Sequence, residues 1–269
     1  MQANIKRRRP FARRFTARRG TGDHFDGPVL ASSAQGAGMT KSVAVVTGSN
    51  GKTGQAILAK LTAAGYDAVG MDVAAEGIGG YPYQQCDVTD VDQIQTAVAA
   101  VTEKHGIIRL LVNNAGIWHG KSFFDISPTD YDRTYGVNTR GPFFLTQDVA
   151  RRLIAAGGGG VIVNLASIVA GAGSGVTDYG GSKAAIVNFT KSIAKPLGPH
   201  GIRVVGVSPG TINTAMGEAV PAELRNKLIA SSALQRAAEP EEIAAAVAWL
   251  ASPDAGYVTG ATLDVNGGL

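Results

Sequence analysis

The sequence predicts an α/β fold built on a doubly wound parallel sheet of about seven strands, with helices on both faces. From residue 42 onward, short β-branched runs alternate with longer alanine-rich helical patterns, which is typical of right-handed βαβ units. Several runs, such as Val43–Val46 and Val161–Val163, are apolar at every position, as expected for strands buried between two helix layers. A glycine-rich turn also joins the first strand to the first helix, where such folds bind phosphate groups.

The predicted elements follow one another without an internal repeat, and no linker interrupts them after residue 40. Pro142 is expected to bend the third helix. We therefore predict a single Rossmann-type domain over residues 41–269. Its helices are predicted near 53–64, 90–105, 128–156, 178–198 and 239–251, and its strands at Ser42–Thr47, Asp67–Asp72, Tyr81–Cys86, Ile108–Asn113, Val161–Ala166, Arg203–Ser208 and Thr262–Val265.

Residues 1–40 have no helical or strand periodicity and end in a run of small residues, so we expect a disordered basic extension. They contain eight basic and two acidic residues, a net charge of +6; because the whole chain carries +4, the remainder carries −2. The body therefore has no basic surface for nucleic acid. Three interpretations of the extension remain open: an arm for nucleic acid or anionic surfaces, an organelle transit peptide, or a non-structural extension before a start at Met39.

Cys86 is the single cysteine of the chain, which excludes an intrachain disulfide and any multi-cysteine metal site. A lone cysteine fits a reducing compartment, so we expect a cytoplasmic location. No apolar run approaches the roughly 20 residues that span a bilayer. We predict no membrane segment and no metal site.

The glycine-rich turn, Thr47–Gly54, allows two interpretations. The end of the turn resembles the P-loop of ATP enzymes, but a P-loop requires a glycine where this chain has Val46. Some ATP-dependent ligases have a shortened P-loop without that first glycine, so the ATP interpretation stays open. A dinucleotide site instead requires an acidic residue about 20 positions later, at the end of the second strand. Asp72 meets that requirement, so we predict a dinucleotide site in which Asp72 accepts hydrogen bonds from a ribose.

Tyr179 and Lys183 lie four residues apart in a predicted helix and therefore on one face of it. A tyrosine hydroxyl has an ordinary pKa of about 10, and a nearby ammonium lowers the pKa of an acid. We therefore expect Lys183 to lower the pKa of Tyr179, so that Tyr179 serves as a general acid or base. Taken alone, such a pair is more often a surface pair, and the rest of the chain decides between the two interpretations.

From residue 42 to the C-terminus, several motifs in order resemble those of the short-chain dehydrogenase/reductase family in its single-domain form. Thr47–Gly54 resembles its TGxxxGxG turn. The other matching segments are the adenine-contacting pair Asp87-Val88, the NNAG motif Asn113-Asn114-Ala115-Gly116, the PG turn Pro209-Gly210, and the catalytic tetrad Asn138, Ser167, Tyr179 and Lys183.

The resemblance implies an oxidoreductase that transfers a hydride between a nicotinamide cofactor and a secondary alcohol or ketone. Tyr179 would be its general acid or base, and Ser167 would hold the substrate oxygen. Lys183 would tune Tyr179 and bind the nicotinamide ribose, while Asn138 would hold a proton relay. Gly180 and Gly181 weaken the helix by about 1 kcal/mol each relative to alanine, so we expect a close neighbour there, the nicotinamide ribose being one candidate.

The resemblance also implies where the cofactor binds. Lys52 departs from the family pattern, because it stands where the middle glycine is expected; the loop either shifts by one residue or Lys52 projects over the phosphates. Asp72, followed by the uncharged Val73, favours NAD over NADP. The implied cofactor-binding residues are Gly48, Asn50, Gly51, Lys52, Thr53, Gly54, Asp72, Asp87, Val88, Asn114, Ala115, Gly116, Tyr179, Lys183, Pro209, Gly210, Ile212 and Thr214.

The substrate is less determined by the sequence. A small lid over residues 215–230 suits a small ketone, polyol or sugar alcohol; a 3-oxoacyl thioester on acyl-carrier protein or CoA is the alternative. His119 is expected to lie in a surface loop unless it binds a polar substrate group. The expected substrate contacts are Trp118, His119, Ser167, Val169, Tyr179 and Met216.

Two further classes, a non-catalytic nucleotide sensor and a P-loop-like ATP enzyme, are disfavoured by the intact Ser167, Tyr179 and Lys183. The resemblance implies a homo-oligomer, a tetramer or dimer. Its subunits would meet through the helices near 128–156 and 178–198 and through the last strand.

Overall fold

The structure is a computed structural model that describes residues 41–171, 173 and 175–269; the predicted disorder of residues 1–40 lies outside this part. One parallel sheet of seven strands occupies the described residues, in the order β3-β2-β1-β4-β5-β6-β7. Strands β2 and β3 lie on one side of β1, and β4 to β7 lie on the other. This reversal of direction at β1 confirms the predicted doubly wound α/β fold. The strands are β1 Val43–Thr47, β2 Asp67–Asp72, β3 Tyr83–Gln85, β4 Ile108–Asn113, β5 Gly160–Leu165, β6 Ile202–Pro209 and β7 Thr262–Val265.

Helices cover both faces of this sheet. The four-residue α6 and the ten-residue α7 fill the predicted lid region. Within the described part of the chain, no helix is both long and apolar enough to cross a membrane. The α-helices are α1 Lys52–Ala63, α2 Val91–His105, α3 Pro128–Tyr135, α4 Gly141–Ala155, α5 Thr177–Leu197, α6 Ala215–Glu218, α7 Ala222–Ser231 and α8 Pro240–Ala251.

The core consists of two apolar clusters, one on each face of the sheet. Successive side chains of a strand point to opposite faces, so Val43 and Val45 of β1 join one cluster, whereas Ala44 and Val46 join the other. The first cluster contains side chains of α2 and α4, and the second contains side chains of α1 and α8. Burial on both faces explains why the strand sequences are continuously apolar.

The long helical region 128–156 is interrupted, as predicted, but the break precedes Pro142. Residues Gly136–Arg140 form one π-helical turn, and α4 begins immediately after it with Pro142 in its first turn. The turn and α4 are continuous, since the Gly141 amide donates to the Gly136 carbonyl oxygen. The turn is therefore a π-bulge within a continuous helical segment, and π-bulges often mark functional sites.

Candidate active site

The glycine-rich turn packs tightly against the end of β4. Gly48 has a φ of +63°, and a Cβ there would lie 2.8 Å from the Ala115 Cα. A Cβ on Gly54 would collide with the carbonyl oxygen of Gly48. A Cβ on Gly51, in contrast, would meet only that oxygen, at an ordinary contact distance of 3.5 Å. Gly51 also has an ordinary φ of −73°. The turn thus leaves open space in front of the α1 N-terminus, which is the arrangement that fits a pyrophosphate.

Asp72 ends β2 beside this turn. Its carboxylate accepts hydrogen bonds from the backbone amides of Asn50 (3.0 Å) and Val73 (2.8 Å). An ionised carboxylate has about four acceptor positions, so two remain for ribose hydroxyls. The Asn50 side chain bonds the backbone of the loop that follows, donating to the Glu76 carbonyl and accepting from the Ile78 amide. Asn50 therefore acts as a brace for this loop, a role that the sequence did not indicate.

Lys52 is the first residue of α1, and Gly51 precedes it as the N-cap residue. The Lys52 side chain is 58% exposed. Its ammonium pairs with the Glu218 carboxylate of α6 at 3.3 Å. No local pattern indicates this partner, because 166 positions separate the two residues.

The end of β4 is held by amide side chains. Asn113 donates to Asn164 in the neighbouring strand β5, and Asn114 donates to the Thr47 and Gly48 carbonyl oxygens at the end of β1. The three adjacent strand ends are thereby fixed relative to one another. Gly116 follows, and a Cβ there would lie 3.3 Å from the Lys183 ammonium and 3.5 Å from the Asn138 side-chain oxygen. Any side chain at position 116 would crowd both polar groups.

Asp87 and Val88 follow β3. The Asp87 carboxylate accepts hydrogen bonds from the amide and the hydroxyl of Thr89, so it shapes its own turn. The cap of α2 is Asp90, which accepts from the amides of Asp92 and Gln93, and this leaves part of the Asp87 carboxylate available. Val88 is buried, and Gly141 of α4 packs directly against it.

Asn138 lies in the π-helical turn and is completely buried. Its side chain pairs with the backbone of Ile117, accepting from the amide at 2.8 Å and donating to the carbonyl at 3.0 Å. It also donates to the Ser182 hydroxyl at 3.0 Å. A solvent-facing asparagine is therefore ruled out. The bulge turns Asn138 toward the segment after β4 and toward the helix that carries Tyr179.

Ser167, Tyr179 and Lys183 meet at the end of β5 and the first turns of α5. The Ser167 hydroxyl accepts from the Val169 amide, and it lies close enough to the Tyr179 hydroxyl to lower the pKa of that group. The Lys183 ammonium is buried, donates to the Leu165 carbonyl oxygen at 2.8 Å, and lies 5.7 Å from the centre of the Tyr179 ring. The structure thus brings together all four residues of the predicted tetrad, with Asn138 and Lys183 on either side of Gly116.

The direction of the Tyr179 pKa shift is opposite to the predicted one. Burial of the hydroxyl raises the pKa of Tyr179 above its ordinary value of 10.0, and the neighbouring Ser167 hydroxyl lowers it by a smaller amount. Burial also lowers the pKa of Lys183 from 10.5 to about 8. The prediction was wrong because it counted the attraction of a neighbouring ammonium and ignored the larger cost of removing a phenolate from water.

Gly181 faces α3 and not a ligand. A Cβ on Gly181 would lie 2.5 Å from the Tyr135 hydroxyl oxygen. The close neighbour expected at this glycine is therefore a protein side chain, and the nicotinamide ribose is not needed to explain it. In the preceding turn, Asp178 is buried and accepts a hydrogen bond from the Thr134 hydroxyl at 2.8 Å, so α3 and α5 are joined next to Tyr179.

The segment after β6 closes the same edge of the sheet. A Cβ on Gly210 would lie 2.9 Å from the Asn266 Cα, so this turn packs against the C-terminal segment. Ile212 pairs with Ala238 in an isolated parallel bridge. The Thr214 hydroxyl accepts from the Gly217 amide and caps α6. Thr214 thus already has one hydrogen-bond partner within the chain.

The expected substrate residues lie around this edge. Trp118 and Val169 are partly buried, and Met216 is 37% exposed. His119 is also partly buried, and its Nε2 atom is buried without a hydrogen-bond partner among the described residues. His119 lies in an irregular loop, as expected, and its unpaired buried nitrogen is an unusual feature in a native protein.

Taken together, the fold and the glycine-rich turn define a dinucleotide-binding α/β protein with a Ser–Tyr–Lys centre. A family model described as enoyl-(acyl carrier protein) reductase matches residues 36–269. The chain is 34% identical over 257 residues to the (3R)-3-hydroxyacyl-CoA dehydrogenase of Rattus norvegicus, covering 86% of this chain and 97% of that protein. It is 40% identical over 198 residues to the 3-oxoacyl-(acyl-carrier-protein) reductase FabG of Thermotoga maritima, covering 72% and 80% of the two chains.

Solved structures agree with these relatives. The aldohexose dehydrogenase of Thermoplasma acidophilum superposes with a TM-score of 0.78 at 30% identity, covering 85% of this chain and 94% of that one. A blue fluorescent protein from a metagenomic library, solved with NADPH, gives a TM-score of 0.76 at 36% identity, covering 84% and 97%. The chain belongs to the short-chain dehydrogenase/reductase family. It is an oxidoreductase of a family that binds a nicotinamide cofactor.

Proposed function

We propose that residues 41–269 form one catalytic domain that transfers a hydride between NAD and a secondary alcohol or ketone. The observation that carries this proposal is the meeting of Ser167, Tyr179 and Lys183 behind the glycine-rich turn, with buried Asn138 beside them. The nicotinamide, when bound, supplies or accepts the hydride. The chain supplies geometry and the movement of one proton.

In this proposal Tyr179 gives its hydroxyl proton to the carbonyl oxygen during reduction and takes the proton back during oxidation. Ser167, which lies beside the Tyr179 hydroxyl, orients the same substrate oxygen. Lys183 holds a positive charge near the Tyr179 ring and binds a ribose hydroxyl. Asn138 fixes the segment at Ile117 and supports proton exchange with solvent.

The choice of NAD rests on Asp72. Its carboxylate stands at the end of β2, can accept from ribose hydroxyls, and would repel a 2′-phosphate. The neighbouring Val73 side chain is exposed and uncharged, so it provides no positive charge to bind that phosphate. Lys52, the nearest cation of the turn, faces Glu218. These features together favour NAD over NADP.

Two substrate classes have support. Our first candidate is a 3-hydroxyacyl or 3-oxoacyl thioester, because relatives over most of the chain carry the names hydroxyacyl-CoA dehydrogenase and 3-oxoacyl reductase. The lid region also exposes two apolar side chains, Met216 and Leu224, which an acyl chain can cover. The second candidate, a small ketone, polyol or sugar alcohol, is supported by the likeness to an aldohexose dehydrogenase.

We also propose that the protein is a homo-oligomer, either a tetramer or a dimer, and that it is cytoplasmic. Phe143 of α4 is exposed, and its ring lies 5.3 Å from that of Phe189 in α5. These two helices are the ones predicted to meet a second subunit. Light scattering tests the assembly, and a monomer would contradict it.

The proposal is tested by following the absorbance of the reduced nicotinamide. Acetoacetyl-CoA, small ketones, polyols and aldohexoses are assayed with each cofactor in the appropriate direction. Tyr179→Phe should lower kcat by about 10²- to 10⁴-fold, the usual contribution of a general acid or base. Tyr131→Phe is the matched control, because Tyr131 is an exposed tyrosine of α3. An inactive wild type, or a fully active Tyr179→Phe variant, would overturn the proposal.

A further inference from the structure

Lys52 occupies the position at which the chain departs from its family's glycine-rich pattern. It begins α1, the helix whose N-terminus faces the open space in front of the turn. Pyrophosphates bind at such helix starts because free amides and the helix dipole attract an anion. A lysine at this point adds a full positive charge to the site. In the structure, however, that charge already has a partner, since Glu218 lies 3.3 Å away.

The backbone around Glu218 is fixed by a hydrogen bond and by close packing. Glu218 ends the short helix α6, where its amide donates to the Thr214 carbonyl at 2.8 Å. Gly217 packs so closely against the Ile212 carbonyl oxygen that a Cβ there would collide with it. A groove of about 600 Å³ runs beside the Lys52 side chain and is also lined by Asn213. The pair therefore bridges the start of α1 and the segment that follows β6.

The two charges have opposite effects on an anion in this site. The Lys52 ammonium attracts a pyrophosphate, whereas the Glu218 carboxylate repels it and competes for the ammonium. Both side chains are more than half exposed, at 58% and 60%, and ion pairs at such exposure are weak because water screens them. The pair can therefore open at little cost when a doubly charged ligand arrives.

We propose that Lys52 and Glu218 form an exchangeable ion pair over the pyrophosphate site. Lys52 pairs with Glu218 in the free protein and with the cofactor's pyrophosphate in the complex. Lys52 therefore increases dinucleotide affinity, and Glu218 decreases it. This inference rests on the proposed dinucleotide function and assigns to Lys52 and Glu218 a role in setting cofactor affinity.

Titration calorimetry with ADP-ribose, which carries the pyrophosphate, tests the proposal without any turnover. Lys52→Met should raise the dissociation constant of ADP-ribose by about three- to tenfold, and Glu218→Gln should lower it by about two- to fivefold, the scale of an exposed charge interaction. In the double variant most of the Glu218→Gln gain should disappear, because the competition for Lys52 no longer exists. Both effects should shrink as salt is added.

Matched controls are available on the same helices. Lys60→Met changes an exposed lysine at the other end of α1, and Glu223→Gln changes an exposed glutamate at the start of α7; neither should alter the dissociation constant. Adenosine, which lacks phosphate, should bind all variants equally. An unchanged dissociation constant in Lys52→Met, or weaker binding in Glu218→Gln, would overturn the proposal.

A 2′-phosphorylated ADP-ribose separates this role from NADP recognition. If Lys52→Met weakens only that ligand and leaves ADP-ribose unchanged, Lys52 binds a 2′-phosphate and the exchange is refuted. Failure of the wild type to bind ADP-ribose at all would instead overturn the proposed dinucleotide function. The two failures are therefore distinguishable.

Discussion

Replacement of Lys183 by methionine measures what the buried ammonium costs the fold. Burial lowers the pKa of Lys183 from 10.5 to about 8. At about 1.4 kcal/mol per pKa unit, this shift corresponds to about 3 kcal/mol of destabilisation. Methionine has a similar length and no charge, but it loses the hydrogen bond to the Leu165 carbonyl, which is worth about 1 kcal/mol. Lys183→Met should therefore raise the free energy of unfolding by about 2 kcal/mol at neutral pH.

The direction of the Lys183 pKa shift determines the pH range over which the wild type and the variant differ in stability. Below about pH 8 the lysine is protonated in both the folded and the unfolded chain, so the whole cost is present. Between about 8 and 10.5 the unfolded chain binds the proton and the folded chain does not, so wild-type stability rises with pH. Above this window both states are neutral and the cost is gone. The advantage of Lys183→Met should therefore fade as the pH rises.

Urea unfolding of wild type and variant at several pH values measures this difference directly, since titrations common to both proteins cancel. Lys60→Met is the control, because Lys60 is exposed on α1 and should give no pH-dependent difference. A Lys183→Met variant less stable than wild type at neutral pH, or a difference independent of pH, would refute the reasoning. The variant should also lose activity, so that stability and catalysis change in opposite directions.

Four further outcomes are expected. Asp72→Asn should lower the preference for NAD over NADP by about 10- to 100-fold, the range of a lost charge-assisted hydrogen bond; an unchanged ratio of kcat/KM values would contradict our account. Asn138→Ala should lower the free energy of unfolding by about 2 to 4 kcal/mol, because it leaves a part-buried loop peptide unpaired at both its amide and its carbonyl, as urea titration can test. Gly54→Ala should prevent ADP-ribose binding through its collision with the turn, whereas Ala59→Gly on the outer face of α1 should not. For Tyr179, kcat/KM for oxidation should rise with pH beyond 10, while kcat/KM for reduction stays level, because its pKa is raised.

The fold was predictable because its periodicity is carried by many residues. Strands β2, β4 and β7 have the predicted bounds, and the five predicted helical stretches differ from the observed ones by at most one residue at each end; α6 and α7 were not predicted as helices. The third strand is shorter than predicted, at Tyr83–Gln85 instead of Tyr81–Cys86. It lies at the edge of the sheet and pairs only with β2, so fewer hydrogen bonds fix its ends. The π-turn was foreseen only as a bend, because its position depends on what Asn138 contacts far along the chain.

The site was predictable in its residue types and not in its electrostatics. Motif spacing gave Ser167, Tyr179 and Lys183, but it contains no measure of burial, and burial decides the direction of both pKa shifts. The partner of Lys52 was likewise invisible, because Glu218 lies on a short helix that conforms to no strong periodicity. Long-range contacts and desolvation arise from packing, so a local pattern does not specify them.

The raised pKa of Tyr179 bears on the protonation state of the free site. With a pKa above 10.0 the hydroxyl is protonated near neutral pH, and a protonated tyrosine is the form that reduction needs, since it donates to a carbonyl oxygen. Oxidation needs the phenolate, which burial disfavours. Lys183, with its pKa of about 8, is still mostly charged at neutral pH and lies 5.7 Å from the centre of the Tyr179 ring. The free site therefore holds the Tyr179 proton at neutral pH, which is the state from which Tyr179 can donate to a carbonyl oxygen.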